Sequence, residues 1–330
     1  MAARLDNRPL LGTSIDEDLF LRPKSMSRLE RAVDRHLNVL LFGEPGSGKT
    51  SILRVLEARL ERAGDRPAVY VDLGPATDAR QALLLVSSAL GEHDALSAWG
   101  DDLRAGLSPR IAASDHLLRL VRRLGERPST TILADAPPRG GQAHVLFGRL
   151  RDELWRLDHN WVVAADTALR DELARPPADA FFDVRLELEP LAPEEQLDFL
   201  RRRLDDEPGI DVTALVGETD AWPRSLVGLA REAVLSDEPL GTMLARKQDF
   251  RRRLEGLPPA ARTVAEYLSA HGAAAASDPQ LLGALGFSAQ RARQVFGQLE
   301  KADLVRSFAD QQEGVGRPRK LYELAEPVAL

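Results

Sequence analysis

With 330 residues, 44% of them hydrophobic and 29% charged, the chain has the makeup of an ordinary globular protein with room for two or three compact domains. It contains no cysteine, which excludes disulfides, thiolate metal centres and a thiol nucleophile, and it lacks the apolar run of about 18 residues that a membrane helix needs. A formal net charge of −7 gives no whole-chain attraction for nucleic acid, so any such surface has to be local. The charged stretch 1–23 has no signal-peptide core, and the expected location is the cytoplasm.

In chain order, Met26, Leu29, Val33 and Leu37 have helical spacing and predict a helix over 24–37. The apolar run 39–42 reads as a buried strand, a glycine-rich loop follows at once, and Ile52, Leu53, Val55, Leu56 and Leu60 mark a second helix. Strands are then predicted at 68–73, 130–135, 161–166 and 181–186, with helices at 79–90, 115–124 and 145–157 between them. Short apolar strands alternating with helices imply an α/β unit with a parallel sheet covered on both faces. From Pro190 only helices are expected, at 194–204, 222–235 and 242–254. A Gly-Leu-Pro-Pro break at 256–259 opens a last unit with helices at 260–270, 279–285 and 288–301. Extended segments at 303–308 and 319–324 flank a loop at 311–318, and the alanine run 273–276 is a short low-complexity tract. The expected domains are 1–188, 189–255 and 256–330.

The loop Gly43, Glu44, Pro45, Gly46, Ser47, Gly48, Lys49, Thr50, followed by Ser51, is a Gly-x-x-x-x-Gly-Lys-Thr pattern between a strand and a helix. Such glycines let backbone N–H groups wrap around phosphates, and the helix N-terminus favours an anion, so the loop points to ATP or another nucleoside triphosphate with Mg²⁺. Lys49 is the expected partner of the β- and γ-phosphates, and the Thr50 hydroxyl is a Mg²⁺ ligand. Asp135, closing a predicted strand, supplies the further carboxylate, with Asp72 ranked behind it. The residue after that Asp is commonly acidic in ATPases of this class and polarises the attacking water. Here it is Ala136, so turnover should be slow, a placed base contributing about 10²–10⁴-fold.

Residues Asp18-Leu19-Phe20-Leu21-Arg22-Pro23, a helix and then the phosphate loop resemble the start of AAA+ and STAND-type ATPases, most of all the branch of archaeal ATPases and origin-recognition proteins. The resemblance covers nearly the whole chain and implies a P-loop core, a helical lid and a C-terminal winged helix. It implies that Leu19, Phe20 and Leu21 lie beside the adenine. Asp220-Ala221-Trp222-Pro223-Arg224 resembles the sensor-2 motif, which implies that Arg224 faces the γ-phosphate; Ala221 stands where Gly is usual. The run 188–195 resembles the junction from core to lid. Asp166 or Thr167 falls at the sensor-1 place, where the family often has Asn, Ser or Thr. An arginine finger offered to a neighbouring subunit of a homo-oligomer would be Arg175, or second to it Arg170.

The last unit has the element order of a winged helix and resembles bacterial regulators of that type. Its third helix carries Gln290, Arg291, Arg293 and Gln294 near its start, where such helices meet base edges, and Arg317, Arg319 and Lys320 mark a wing tip for phosphate or a minor groove. Residues 257–330 nonetheless hold eight basic and eight acidic residues, and a DNA-binding domain is usually more basic. The leading expectation is an ATP-controlled DNA-binding protein with weak turnover; the alternative is a nucleotide-held adaptor whose winged helix recruits a protein partner. Residues 201–203 read as a solvated arginine face, 251–253 as a possible supplement to a DNA groove, and Trp99, Trp155, Trp161 and Trp222 as core or interface residues.

Overall fold

The computed structural model describes residues 5–64, 67–91, 109–204, 207, 209–310 and 319–326, and separates into two compact units that meet in sequence between Leu191 and Ala192. The first unit is built on β1 (Val39–Gly43), β2 (Ala68–Asp72), β3 (Thr131–Asp135), β4 (Asn160–Asp166) and β5 (Val184–Glu187). All pairings are parallel, in the order β2-β3-β4-β1-β5. Strand β4 therefore separates β1, which leads into the glycine loop, from β3, which ends in Asp135.

Side-chain alternation explains the continuous apolar runs. After the short helix α1 (Ser14–Asp18), Val39 and Leu41 join the core on one face with α2 (Pro23–Val33) and α3 (Lys49–Ala63), while Leu40 and Phe42 join the opposite core with α4 (Ala79–Ala89) and α5 (Pro109–Gly125). The helix before the loop stops at Val33 rather than 37, because His36 adopts φ 57 and turns the chain. Residues 145–157 are not one regular helix: Gln142–His144 and Arg151–Trp155 flank a π turn, Val145–Arg149. A Cβ on Gly148 in that turn would come 3.3 Å from the backbone N of Ala178, a tight contact that glycine avoids and that a larger residue could make only if the neighbouring chain gave way slightly. The turn delivers Phe147 to a buried aromatic group, its ring centroid 5.3 Å from Phe181 and 5.9 Å from Trp161. Phe181 and Phe182, expected in the fifth strand, precede it and pack in this group instead. Trp161 is buried as expected, whereas Trp155 is 48% exposed and Trp99 lies outside the described residues.

The second unit holds helices Pro193–Leu204, Pro223–Leu235, Leu240–Glu255, Pro259–His271, Pro279–Leu285 and Ala289–Lys301, with three short strands. Ala274–Ala275, the expected low-complexity tract, is an edge strand pairing Arg319–Leu324, which in turn pairs Val305–Asp310, all antiparallel. Phe250 and Leu254 from the helix before the Gly256 break share one core with Val264, Leu268, Phe296 and Tyr322 beyond it. The buried Lys247 pairs with Glu232 at 2.8 Å and Glu326 at 3.4 Å, and Arg246 pairs with Glu238 at 2.8 Å. The arginine runs are not uniform solvated faces. Arg203 is buried with its guanidinium 3.7 Å from the Phe199 ring centroid. Arg251 is held by Glu218 and Arg253 by the carbonyl of Ala302, so these two point into the unit's own fabric.

One buried side chain pins the sheet of the first unit. Asn38, just before β1, accepts from the Trp161 N–H at 3.0 Å and donates to the Phe181 carbonyl at 3.2 Å, while its own N–H reaches the Asp183 carboxylate at 2.8 Å. Replacing Asn38→Leu strands a buried N–H and a buried C=O. The expected loss is about 1–3 kcal/mol for each group left unpaired, read as a lower urea midpoint at unchanged slope.

Candidate nucleotide site

The chain leaves β1 at Gly43 and re-enters helix at Lys49. Gly46 and Gly48 take φ 86 and 96, a backbone that favours glycine. Gly43 is required for another reason, since a Cβ there would fall 2.4 Å from Ser47 Oγ. The Ser47 N–H donates to the Glu44 carbonyl at 3.1 Å. Lys49 Nζ donates back to the carbonyls of Gly43 at 2.6 Å and Glu44 at 2.9 Å, which closes the loop into a ring. Ser47 Oγ is buried without a hydrogen bond inside that ring. An ammonium, the open N-terminus of α3 and an unspent hydroxyl in one concave loop fit a phosphate chain.

Below the loop, Thr50 Oγ1 donates to Asp135 Oδ2 at 2.6 Å, and the Tyr70 hydroxyl donates to the same oxygen at 3.1 Å. Asp135 is buried. Burial first, and then the charge of Asp135, push the Tyr70 phenol far above its ordinary range, so it stays a neutral donor. The Arg54 guanidinium covers the Tyr70 ring at 3.6 Å, and Glu57 Oε1 accepts the Tyr70 N–H at 2.7 Å. Thr50 and Asp135 thus present two converging oxygens, the hard donors that Mg²⁺ takes. Asp72 is exposed and accepts from the Gly74 N–H at 2.9 Å, bracing its own turn.

The segment before α2 lies along the loop and α3. Arg22 Nη2 donates to the Ser47 carbonyl at 3.1 Å, and Ser51 Oγ accepts the Leu10 N–H at 3.1 Å. Leu19 is buried beside Leu10, Met26 and Val55, while Phe20 and Leu21 are half-buried. Neither Arg22 nor Leu10 was singled out from sequence, because each is fixed by a contact to a residue at least 25 positions away.

At the far end of β4, Thr167 Oγ1 donates to the carboxylate of Glu44, while Asp166 accepts the Ala168 N–H at 3.2 Å. An open cavity of about 460 Å³ is lined by Lys49, Thr77, Ala136, Arg139 and Asp166 among others. Ala136 sits there with φ 52, a strained backbone for alanine. Arg170 pairs with Glu187 and lies over the Phe42 ring at 5.0 Å, whereas Arg175 is exposed.

In the second unit, Arg224 is exposed in the first turn of Pro223–Leu235, and Ala221 before it has φ 63, a backbone that favours glycine. Ala292, Val295, Phe296 and Leu299 bury one side of Ala289–Lys301 and leave Gln290, Arg291, Arg293 and Gln294 exposed. Arg319 and Lys320 are exposed at the start of the last strand, Lys320 Nζ lying 2.8 Å from Glu300 Oε1. Arg317 lies outside the described residues.

Removing the Tyr70 hydroxyl tests the metal assignment without touching a ligand. Tyr70→Phe should raise the Mg²⁺ concentration needed for nucleotide binding about 10-fold or more, as is usual for groups that orient a ligating carboxylate, with metal-free nucleotide affinity unchanged. Titration of a fluorescent nucleotide against Mg²⁺ reads both.

No protein-family model matches the chain, and no curated protein matches it significantly. Solved structures do match. The Orc1 protein of Aeropyrum pernix, solved in complex with DNA, is 17% identical, with a TM-score of 0.51 over 94% of this chain and 90% of that one. Cdc6p from Pyrobaculum aerophilum is 15% identical, with a TM-score of 0.49 and 94% of each chain covered. The Thermotoga maritima RuvB Holliday junction branch migration motor is 16% identical, with a TM-score of 0.46 over 91% of this chain and 93% of that one. At such identities the likeness to Orc1 speaks for the fold alone. The strand order, the glycine-rich loop and that likeness agree on the fold: this chain shares the parallel-sheet α/β fold of the Orc1 structure.

Proposed function

We propose that the protein is an ATP-binding switch whose C-terminal winged helix binds duplex DNA under nucleotide control. The observation that carries this reading is the closed glycine loop with Lys49 at its mouth and the Thr50–Asp135 pair beneath it. Lys49 would exchange its loop carbonyls for phosphate oxygens, and Thr50 and Asp135 would hold Mg²⁺, which would supply neutralisation of phosphate charge. The proposed division is a core at 1–188, a lid at 189–255 and the winged helix at 256–330. Arg224 is the lid residue that reports the γ-phosphate, and Arg175, exposed in the core, is the one offered to a second copy. With a methyl group at Ala136 in place of the usual acid, turnover is weak and depends on a base supplied from elsewhere in the site.

The DNA reading is supported by the exposed Gln290, Arg291, Arg293 and Gln294, residue types that pair with adenine and guanine edges, and by the DNA in the Orc1 structure. Nucleotide control is supported by the core that Phe250 and Leu254 share with the last unit, and by Lys247 bridging Glu232 and Glu326. Movement of the helix bearing Arg224 is thereby passed to the winged helix. One observation favours the adaptor instead: Lys320 is already engaged by Glu300, in a region of balanced charge.

Duplex binding measured with ATP, with ADP and without nucleotide, across a salt series, separates the readings. DNA binding under control gives a steep salt dependence and unequal affinities, and the double change Arg291→Ala, Arg293→Ala lowers affinity about 10-fold or more. Equal affinities in the three states reject the coupling, and no salt-dependent binding leaves the adaptor. Arg224→Ala should abolish the difference between ATP and ADP while leaving DNA affinity itself in place.

A further inference from the structure

The cavity at the mouth of the loop lacks an acid at residue 136 but is not without a carboxylate. Asp166 lines it together with Lys49 and Ala136. As the last residue of β4, Asp166 stands in register with Gly43, the first residue of the loop, and β4 is one strand closer to β1 than β3 is. Other acids nearby are engaged: Asp135 by Thr50 and Tyr70, Asp72 by its own turn, and Glu44 by Thr167. Thr167, the neutral alternative at this strand end, donates to Glu44, its hydroxyl 3.5 Å from Asp166 Oδ1, which leaves Asp166 Oδ2 toward the cavity. One Asp166 oxygen is fixed by the Ala168 N–H at 3.2 Å, which holds the side chain in place, and the other lies 3.9 Å from Arg139 Nη2.

We propose that Asp166 is the catalytic base of this site, performing from β4 the task that Ala136 cannot perform from β3. Resting on the nucleotide reading above, the step is hydrolysis of the γ-phosphate. The water oxygen bonds to the γ-phosphorus as the bond from that phosphorus to the ADP oxygen breaks. The water proton passes to the second Asp166 oxygen and from there to solvent, so that ADP, phosphate and a proton leave. Arg139, beside that oxygen and facing the same cavity, balances the charge that the γ-phosphate brings against the carboxylate.

The test compares wild type with Asp166→Asn, which keeps an acceptor for the Ala168 N–H, and with Asp166→Ser, a second variant able to cap. Three quantities are read on the full chain: ADP affinity, the tightening of ADP by aluminium fluoride, and single-turnover ATP hydrolysis. The expectation is ADP affinity within about threefold of wild type, loss of the aluminium fluoride tightening, and hydrolysis lowered about 100-fold or more in both variants. Wild-type tightening and hydrolysis in the two variants overturn the proposal, as does a wild-type protein that binds ATP and never hydrolyses it. A wild-type protein that binds neither ATP nor ADP instead removes the nucleotide reading itself.

Discussion

The hydrogen bond from Thr50 to Asp135 spans the width of β4 and ties together parts of the chain 85 residues apart. It forms only if the loop after β1 leads the start of α3 over the C-terminal end of the sheet, and if β3 ends level with it. The ring closed by Lys49 sets the first condition and the parallel register of β1, β4 and β3 sets the second. Tyr70 then joins from β2, so a strand and a helix converge on one carboxylate oxygen that β3 supplies. The N-terminal segment, through Arg22 and Leu10, braces the same loop from its other side.

Two alanines occupy left-handed backbone, Ala136 at φ 52 and Ala221 at φ 63. Such a conformation costs a residue with a Cβ about 1–2 kcal/mol, a strain that persists only where its surroundings fix the chain. At Ala136 the N–H is held by the Ala164 carbonyl at 3.0 Å, which ties the strained residue to β4 and hence to the strand that carries Asp166.

The local chemistry of the site was legible in the sequence. Glycine spacing, a lysine and a threonine between a strand and a helix define the phosphate loop by themselves, and Asp135 is marked by the apolar run before it. What could not be read was whatever depends on strand order or on contacts across long separations. No periodicity says that β4 lies between β1 and β3, that Arg22 holds Ser47, or that Thr167 is turned to Glu44. The π turn was read as plain helix because its apolar spacing is close to helical; the tight contact its glycine avoids shows only beside Ala178. The alanine tract 273–276 was read by composition, and pairing with Tyr322 and Leu321 makes it a strand. Likewise Arg203 and Lys320 look like solvent-facing charge until Phe199 and Glu300 are placed against them.

The Gly-Leu-Pro-Pro break marks a change of direction, not a seam. Because Phe250 and Leu254 lie in the same core as Val264 and Phe296, a cut at residue 256 leaves apolar side chains uncovered on both fragments. A piece that kept this core whole would begin upstream, at Leu240, and carry Arg246 and Lys247 with it. Those two residues still need Glu232 and Glu238 outside the piece. Recombination at the apparent linker is disfavoured, and the C-terminal unit is expected to be inherited together with the helices before it rather than as a free-standing module.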